Sequence, residues 1–413
     1  MQTSHLFCAL LLAAVPLTGQ AVLQVPFGYA QIGTAIASAQ PGDIIEVDSG
    51  TYPPFVCNKG VSIVARLGAQ VLVSSLAVLS YAPTEFVVPS GAMAKVVGLQ
   101  FVNLNPFAPM ETRVLGGSVA FEDCSFEAPF IGIFGAYQGL RISNSRVWLR
   151  TCRCMGYIAH PPFTVNGGSL PCVGMSVEQS FVAAVDCEFV GGKLLGDGGV
   201  GAGDGVQATN SSLHLVRCAV TGGASASLGC FYPNGHGLQV FSGIGTWLVD
   251  CTIRGGSYPG CLSGGDALRN NGTVPVLLTR VTTIPGVGTM QSGSAIVGPT
   301  QADTALGLAG PTVGARLGTP YRIDYQTTAN TLLLLFFSDH LFVLPPMATV
   351  EPTWVPIGAP FLGFLVSDPS GLGTFQTTIP NAPALRFASL WIHAAAWTGP
   401  PLHAAAPIGG MLR

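Results

Sequence analysis

Three short segments carry the residues of this chain whose types and spacing could do chemistry: "GDGVQ", "GHGLQ" and "GDALR". Their second and fifth positions hold Asp204, His236 and Asp266, and Gln207, Gln239 and Arg269. An imidazole between two carboxylates supplies a general base and a general acid, and an arginine beside them binds an anionic group. We therefore predict catalytic roles for Asp204, His236, Asp266 and Arg269, and substrate binding by Gln207 and Gln239.

The same residues have a structural interpretation, which we favour for His236. A Gly-x-Gly segment can open a strand after a turn, because only glycine tolerates the positive φ that such turns often need. Stacked polar side chains also satisfy one another's hydrogen bonds without any reaction. If Asp204, His236 and Asp266 form a solvent-facing column, here called the acid–base column, the flanking carboxylates should raise the pKa of the imidazole.

A repeat of cysteine-containing segments indicates the elements that position these residues. The segments are "VAFEDCSF", "VWLRTCRC", "VAAVDCEF", "LHLVRCAV" and "TWLVDCTI". Their shared position is occupied by Cys124, Cys152, Cys187, Cys218 and Cys251, here called the thiol column, and the pattern extends to Leu99 and Val281. Apolar residues alternate within each copy, which predicts strands, and "GG" pairs follow, which predict turns. Copies at intervals of about 30 residues predict a stacked solenoid.

The stretch "IGTAIASAQPGDIIEVDSGTYPPF", residues 32–55, resembles the opening of right-handed parallel β-helix proteins of the pectin-lyase-like superfamily. In that family a short helix caps the first coil, and a Pro-Gly-Asp turn leads into the first strand and a Gly-Thr-Tyr. The resemblance and the repeat together predict an all-β protein. We expect a right-handed single-stranded parallel β-helix over residues 22–300, a linker over 301–320 and a small β-sandwich over 321–413.

Polygalacturonase-type hydrolases share this fold and carry a Gly-His-Gly, which Gly235 to Gly237 matches. The family also carries an Asp-Asp pair and an Arg-x-Lys. This chain has no Asp-Asp pair, and no lysine follows Lys193. Inverting hydrolysis needs two carboxyl groups that flank the scissile bond. This chain therefore resembles the hydrolases in its Gly-His-Gly but lacks the other motifs that their reaction requires. Lyases of this fold commonly use an arginine base and a Ca²⁺ held by carboxylates, and only those residue types match. No cofactor is predicted, with calcium as the alternative.

The thiol column is expected to be a buried row of free thiols. Neighbouring strands lie about 4.8 Å apart, whereas the Cβ atoms of a disulfide lie about 3.5–4.5 Å apart. A straight row also fits tetrahedral zinc ligation poorly. The pairing of the remaining cysteines stays open, with Cys230 and Cys261 the favoured pair among Cys57, Cys154, Cys172, Cys230 and Cys261.

The composition of the chain and two of its apolar segments limit the partners and the location that we expect for the protein. Charged residues are 9 % of the chain and only three are lysines, so no basic field is present to bind nucleic acid. Residues 1–21 have the apolar core and small-residue end of a secretory signal. The run "LLLLFF" is too short to span a membrane and predicts a buried strand. We therefore expect a secreted or cell-surface protein without a transmembrane segment.

Three hypotheses for function remain open. In the first, the protein binds polysaccharide or another cell-envelope component without catalysis, which requires exposed aromatic residues along a face. In the second, it is a polysaccharide lyase or glycoside hydrolase acting on a uronate-containing polysaccharide, which requires the acid–base column to line an open groove. In the third, it is a rigid surface scaffold. The fold hosts all three and does not choose between them.

Overall fold

The computed structural model describes residues 20–75, 83–102, 111–128, 138–156, 158–159, 172–194, 202–224, 234–257, 263–289, 291–302, 307–309, 318–327, 330–338, 361–379, 381, 389–397, 403–404 and 408–411. Residues 20–302 form one compact unit, and residues 303–413 belong to a second. The predicted signal segment falls almost wholly outside the described residues and stays a prediction.

Residues 20–302 form a parallel β-helix whose coils stack through three ladders of parallel strands, as predicted. The chain visits ladders A, B and C in turn. Ladder A contains β4 (Val56–Cys57), β7 (Thr84–Phe86), β10 (Thr112–Val114), β13 (Gln138–Ser143), β17 (Val173–Glu178), the first halves of β21 (Val206–Val216) and β23 (Leu238–Val249), β25 (Leu268–Asn270) and β28 (Ile296–Val297).

Ladder B contains β1 (Val22–Val25), β2 (Ile44–Val47), β5 (Ser62–Ala65), β8 (Met93–Val97), β11 (Gly117–Glu122), β14 (Ser145–Arg150), β18 (Phe181–Val185), the second halves of β21 and β23, β26 (Val276–Thr279) and β29 (Thr300–Ala302). Ladder C contains β3 (Gly50–Tyr52), β6 (Val71–Val73), β9 (Leu99–Phe101), β12 (Ser125–Glu127), β15 (Arg153–Met155), β19 (Glu188–Val190), β22 (Ala219–Thr221), β24 (Thr252–Arg254) and β27 (Thr282–Ile284). A further parallel pair joins β16 (Ile158–Ala159) to β20 (Lys193–Leu194).

The first coil has the predicted helical cap. Helix α1 (Ile32–Ser38) buries Ile32, Ala35 and Ile36 and precedes a turn at Gly42, where φ is 94°. The ammonium of Lys59 donates to the carbonyls of Ile36, Ala37 and Ala39 at 3.0, 2.8 and 2.8 Å. A cation there satisfies carbonyls that the helix end leaves open and opposes the negative end of the helix dipole.

The inward side chains of the coils fill a continuous apolar core. The thiol column lies in it, every member is at most 3 % exposed, and none forms a disulfide, as predicted. Each thiol donates to the carbonyl two residues earlier, at 3.2–3.3 Å. Burial raises the pKa of Cys124 and Cys152 well above the usual value, so these thiols stay protonated.

A second column turns the chain between ladders B and C. The residue before each cysteine of the thiol column has φ between 48° and 55°, although none is glycine. These residues are Asp123, Thr151, Asp186, Arg217 and Asp250, and Arg280 continues the column. Neighbouring coils are tied together here, because Arg217 makes two hydrogen bonds of 2.7 Å to Asp186 and Arg280 makes two of 2.6 Å to Asp250.

Many outward side chains of ladder B are buried, as its inward side chains are. The alternating apolar pattern of the sequence accounts for its inward side, but its outward side chains are also mostly apolar. Trp148 is 1 % exposed, Ala183 is 0 % and Val249 is 1 %. The outward pair of Arg150 and Glu122 is buried as well, with 3.3 Å between nitrogen and oxygen. These buried outward side chains are therefore not available to a ligand.

The second unit contains antiparallel sheets. One joins β30 (Gly307–Ala309), β31 (Pro320–Gln326) and β34 (Leu372–Thr378). The other joins β33 (Phe361–Val366), β32 (Leu332–Ser338) and β35 (Ser389–Trp397), with β36 (His403–Ala404) and β37 (Ile408–Met411) both paired to β35. The run "LLLLFF" forms strand β32 as predicted, but only one face of it is buried, through Leu333, Leu335 and Phe337, and Leu332 is exposed. Strand β30 lies inside the predicted linker, and the β-sandwich stays a prediction.

No helix in the described ranges is long and apolar enough to cross a membrane.

Candidate functional site

The acid–base column is brought together as predicted, and each of its side chains caps a backbone amide of the next coil. The amide of His236 donates to Asp204 Oδ1 at 2.6 Å, and the amide of Asp266 donates to His236 Nδ1 at 3.0 Å. The amide of Ser294 donates to Asp266 Oδ1 at 2.7 Å. One hydrogen-bonding pattern thus runs through four successive coils.

The remaining carboxylate oxygens are held by side chains three residues further along the chain. Gln207 Nε2 donates to Asp204 Oδ2 at 2.8 Å, and Arg269 Nε donates to Asp266 Oδ2 at the same distance. Both carboxylates therefore have each oxygen engaged within the protein. Gln207 and Arg269 thus contact the carboxylates of the acid–base column, and their predicted roles in substrate binding and catalysis stay predictions.

Burial shifts the pKa values of Asp204 and His236 in this column. Asp204 is 5 % exposed and Asp266 is 6 % exposed, so the expectation of a solvent-facing column is wrong. Desolvation lowers the pKa of His236, although the two carboxylates act in the opposite direction, and desolvation raises the pKa of Asp204. The expected rise in the imidazole pKa is thus also wrong. Because Nδ1 accepts an amide hydrogen bond, the imidazole is neutral, with its hydrogen on Nε2.

Glycines beside the column form a feature that the sequence interpretation missed, here called the glycine seam. The chain leaves ladder C and approaches ladder A through glycines that pack backbone against backbone. Each member after the first donates its N–H to the carbonyl of the member before it, at 2.8–3.1 Å. The members are Gly192, Gly203, Gly223, Gly235, Gly256, Gly265, Gly286 and Gly293.

Close approach, and not turn geometry, explains these glycines. A Cβ atom on Gly235 would lie 2.0 Å from the carbonyl oxygen of Gly203, and one on Gly223 would lie 1.9 Å from that of Gly192. The glycines of "GDGVQ" and "GHGLQ" do not have positive φ, so that expectation is wrong. The recurrent signal was present in the sequence, because a "GG" pair follows three successive strands of ladder C, at Gly191, Gly222 and Gly255.

The outward side of ladder A carries a second row of the predicted residues. Register pairs join Arg141 to Ser176, Ser176 to Gln207, Gln207 to Gln239 and Gln239 to Arg269, and we call this row the polar column. Its five side chains are all partly exposed. At a strand spacing of about 4.8 Å, the row spans about 19 Å. Arg141 forms no ion pair with any residue that the structure describes.

A metal site has no support in the described part of the chain. No group of three or more His, Cys, Asp or Glu side chains there could hold a metal ion. The favoured pairing of Cys230 with Cys261 falls outside the described residues and stays a prediction, while Cys57 and Cys154 form no disulfide.

Comparison with known proteins leaves the family open. No family model matches the chain, and no curated protein matches it. Among solved structures, ORF18 of Geobacillus virus E2 is similar at 10 % identity, with a TM-score of 0.23, over 90 % of this chain and 69 % of that one. PfbA, a surface adhesin of Streptococcus pneumoniae, is similar at 9 % identity, with a TM-score of 0.20, over 68 % of this chain and 93 % of that one. The β-helix assignment rests on the strand pairing.

Proposed function

We propose that this is a secreted or cell-surface β-helix protein that binds an extended polysaccharide along the polar column. The observation that carries the proposal is the row of partly exposed amide, hydroxyl and guanidinium groups held in register on ladder A. Such groups donate to and accept from sugar hydroxyls, and arginine also pairs with carboxylates. A rigid sheet presents them without an ordering cost, which favours affinity.

The geometry of ladder A suits a linear ligand. Hydrogen-bonding side chains repeat at the strand spacing over about 19 Å, so consecutive units of a polymer can meet equivalent groups. On ladder B the outward side chains of Trp148, Ala183 and Val249 are buried and do not compete for this role. Arg141 forms no ion pair among the described residues, and Arg113 of the preceding coil lies in register with it, so a polymer bearing carboxylates gains a contact there.

The lyase or hydrolase alternative has weaker support. A general acid or base must reach a substrate proton, whereas the oxygens of Asp204 and Asp266 are already engaged and both side chains are buried. The imidazole offers only Nε2, which carries its hydrogen. The catalytic roles of Asp204, His236, Asp266 and Arg269 stay a prediction, which the binding experiment also tests.

The test is a panel of acidic and neutral polysaccharides, assayed by affinity electrophoresis and calorimetry with the mature protein, with and without Ca²⁺. We expect saturable binding to at least one polymer, weakened about tenfold by Arg141→Ala or Gln239→Ala, since each loses a hydrogen-bonding or charged contact. The matched control is Arg153→Ala on ladder C, where the side chain is 54 % exposed. Binding that survives both ladder A changes, or an equal loss in the control, would contradict the proposal.

The same samples measure catalysis through the release of new chain ends. New chain ends from the wild type that disappear in both His236→Ala and Asp266→Ala, with both variants still folded, would establish the enzymatic alternative. Binding without new chain ends supports the non-catalytic proposal.

Export has a separate test, because it does not depend on the ligand. Expression of the full chain in a bacterial host with a secretory pathway should give an exported product whose N-terminus lies near residue 22, and a chain lacking residues 1–21 should stay inside the cell. An uncleaved full-length product in the cytoplasm would contradict this part of the proposal.

A further inference from the structure

The corner between ladders A and B is irregular at one coil. Strand β23 pairs with β21 through Val240 and Ala208, and then through Ser242 and Thr209, so that Phe241 has no partner in the register. Ile244 is skipped in the same way three residues later. Extra residues of this kind form β-bulges, which redirect side chains and are common beside functional sites.

The bulge has a fixed conformation. The hydroxyl of Ser242 donates to Asn210 Oδ1 at 2.8 Å, and the amide of Asn210 donates back to the same hydroxyl at 3.2 Å. In the next coil the buried side chain of Asn270 donates to the carbonyl of Val274 at 2.9 Å. These hydrogen bonds hold the corner on both sides, so the directions of Phe241 and Val274 are set by the fold.

The corner presents apolar side chains beside the polar column. Phe241 is 43 % exposed, Ile244 is 49 % and Val274 is 41 %. Phe241 follows Gln239 by two residues, with Val240 buried between them. Gln239 is partly exposed and Phe241 is exposed, so both side chains lie on the outer surface of β23, two residues apart in the chain. An aromatic face beside a hydrogen-bonding amide has the composition of a sugar-binding subsite.

We infer that Phe241 is the stacking residue of the proposed polysaccharide site and fixes where on ladder A a sugar ring sits. The inference rests on the proposed function. The ligand it selects is a pyranose with one face made of C–H groups, which packs on the phenyl ring while its hydroxyls reach Gln239 and Gln207. A saccharide without such a face has the same hydrogen bonds and lacks the stacking contact.

The test compares four variants by calorimetry on the polymer or oligosaccharide that the wild type binds: Phe241→Ala, Phe241→Leu, Phe241→Trp and Ile244→Ala. We expect Phe241→Ala to weaken binding about tenfold, and Phe241→Leu to weaken it nearly as much, because an aliphatic side chain lacks the aromatic face. Phe241→Trp should bind at least as well as the wild type, and its fluorescence should change on binding beyond the wild-type signal. Ile244→Ala, an equally exposed apolar change in the same bulge, is the matched control and should stay within about twofold.

The outcomes separate this inference from the proposal beneath it. If the wild type binds and Gln239→Ala weakens binding while Phe241→Ala leaves it unchanged, the inference is overturned and the proposed function stands. If the wild type binds nothing on the panel, both fail. Equal losses in Phe241→Ala and Ile244→Ala would assign the effect to the shape of the bulge and would overturn the stacking role.

Discussion

Replacing glycine by alanine should destabilise the protein strongly at Gly235, which lies in the glycine seam, and should be harmless at Gly243, which lies outside it. A Cβ atom on Gly235 would lie 2.0 Å from the carbonyl oxygen of Gly203, and backbone on both sides leaves no flexible side chain to move. On Gly243 the nearest atoms would be 3.5 and 3.6 Å away, which is ordinary contact. The chemical change is identical and the coil is the same.

The size of this destabilisation follows from the hydrogen bonds between the packed backbones of the seam. Relieving the clash in Gly235→Ala lengthens the hydrogen bonds from Gly235 N to Gly223 O and from Gly256 N to Gly235 O, at 3.1 and 2.8 Å in the native fold. Each contributes about 0.5–1.5 kcal/mol, and overpacking adds about 1–3 kcal/mol. We therefore expect a loss of about 3–4 kcal/mol. Gly243→Ala should be neutral or stabilising by about 0.5 kcal/mol, because it restricts the unfolded chain.

The assay is urea unfolding followed by far-UV circular dichroism, with hydrogen exchange of peptides that cover the seam to assign the transition to the β-helix. Gly293→Ala gives a second measurement, because its Cβ atom would lie 2.0 Å from the carbonyl oxygen of Gly265 at the last coil, where less structure must move. We expect the urea midpoint to be highest for Gly243→Ala, intermediate for Gly293→Ala and lowest for Gly235→Ala. Equal midpoints for Gly235→Ala and Gly243→Ala would refute close packing as the reason for these glycines.

Three further predictions concern the scaffold. Burial lowers the pKa of His214 to about 4, below the value of 6.5 in the unfolded chain. The burial of this histidine therefore costs nothing above pH 6.5, and as the pH falls toward 4 the protein loses up to about 3 kcal/mol of stability, because the unfolded chain binds the proton first. Between pH 7 and pH 4.5 the urea midpoint should fall further for the wild type than for His214→Gln. Lys59→Met should lower the free energy of unfolding by about 1–2 kcal/mol, because three carbonyls near the end of α1 lose their cation. The same change at the exposed Lys193 should cost little. Thermal melts compare the two variants, and equal melting temperatures would contradict the capping role. The thiol column should resist alkylation in the native protein and react only after denaturation, as mass spectrometry of labelled peptides would show; native labelling would contradict its burial.

The fold could be predicted because its signals are local and repeated. The segments around the thiol column gave the coil period, and residues 32–55 gave the helical cap. Burial of the outward side of ladder B was signalled less clearly, by runs such as "VAAV" before Cys187 in which both alternating sets are apolar. Continuous apolar runs are typical of strands covered on both faces. The alternation of apolar residues inside each copy made the burial of the outward side chains hard to recognise, because one of the two alternating sets of side chains is enough to account for the core.

The candidate site could be predicted only in part. The stacking of Asp204, His236 and Asp266 followed from the repeat, but the atoms that their side chains engage did not. The bulge had a weak signal, since the stretch from "GHG" to Cys251 is longer than that from "GDG" to Cys218. An insertion of this kind shows that a coil departs from the regular path, and it does not show which side chain is displaced outward. That depends on register, which in parallel sheets is set by contacts between coils.

The acid–base column shows why residue types in a repeat are weak evidence for catalysis. A parallel coil must satisfy a backbone amide wherever its strands give way to a connection, and an Asp or His at that position of the previous coil supplies an acceptor. The same requirement recurs at every coil, so a column of titratable residues arises from backbone hydrogen bonding alone. Chemistry needs, in addition, an atom that is not engaged and that a substrate can reach. In Asp204 and Asp266 every carboxylate oxygen is engaged, whereas Arg141, Gln239 and Phe241 present groups to solvent, and function is therefore best sought along ladder A.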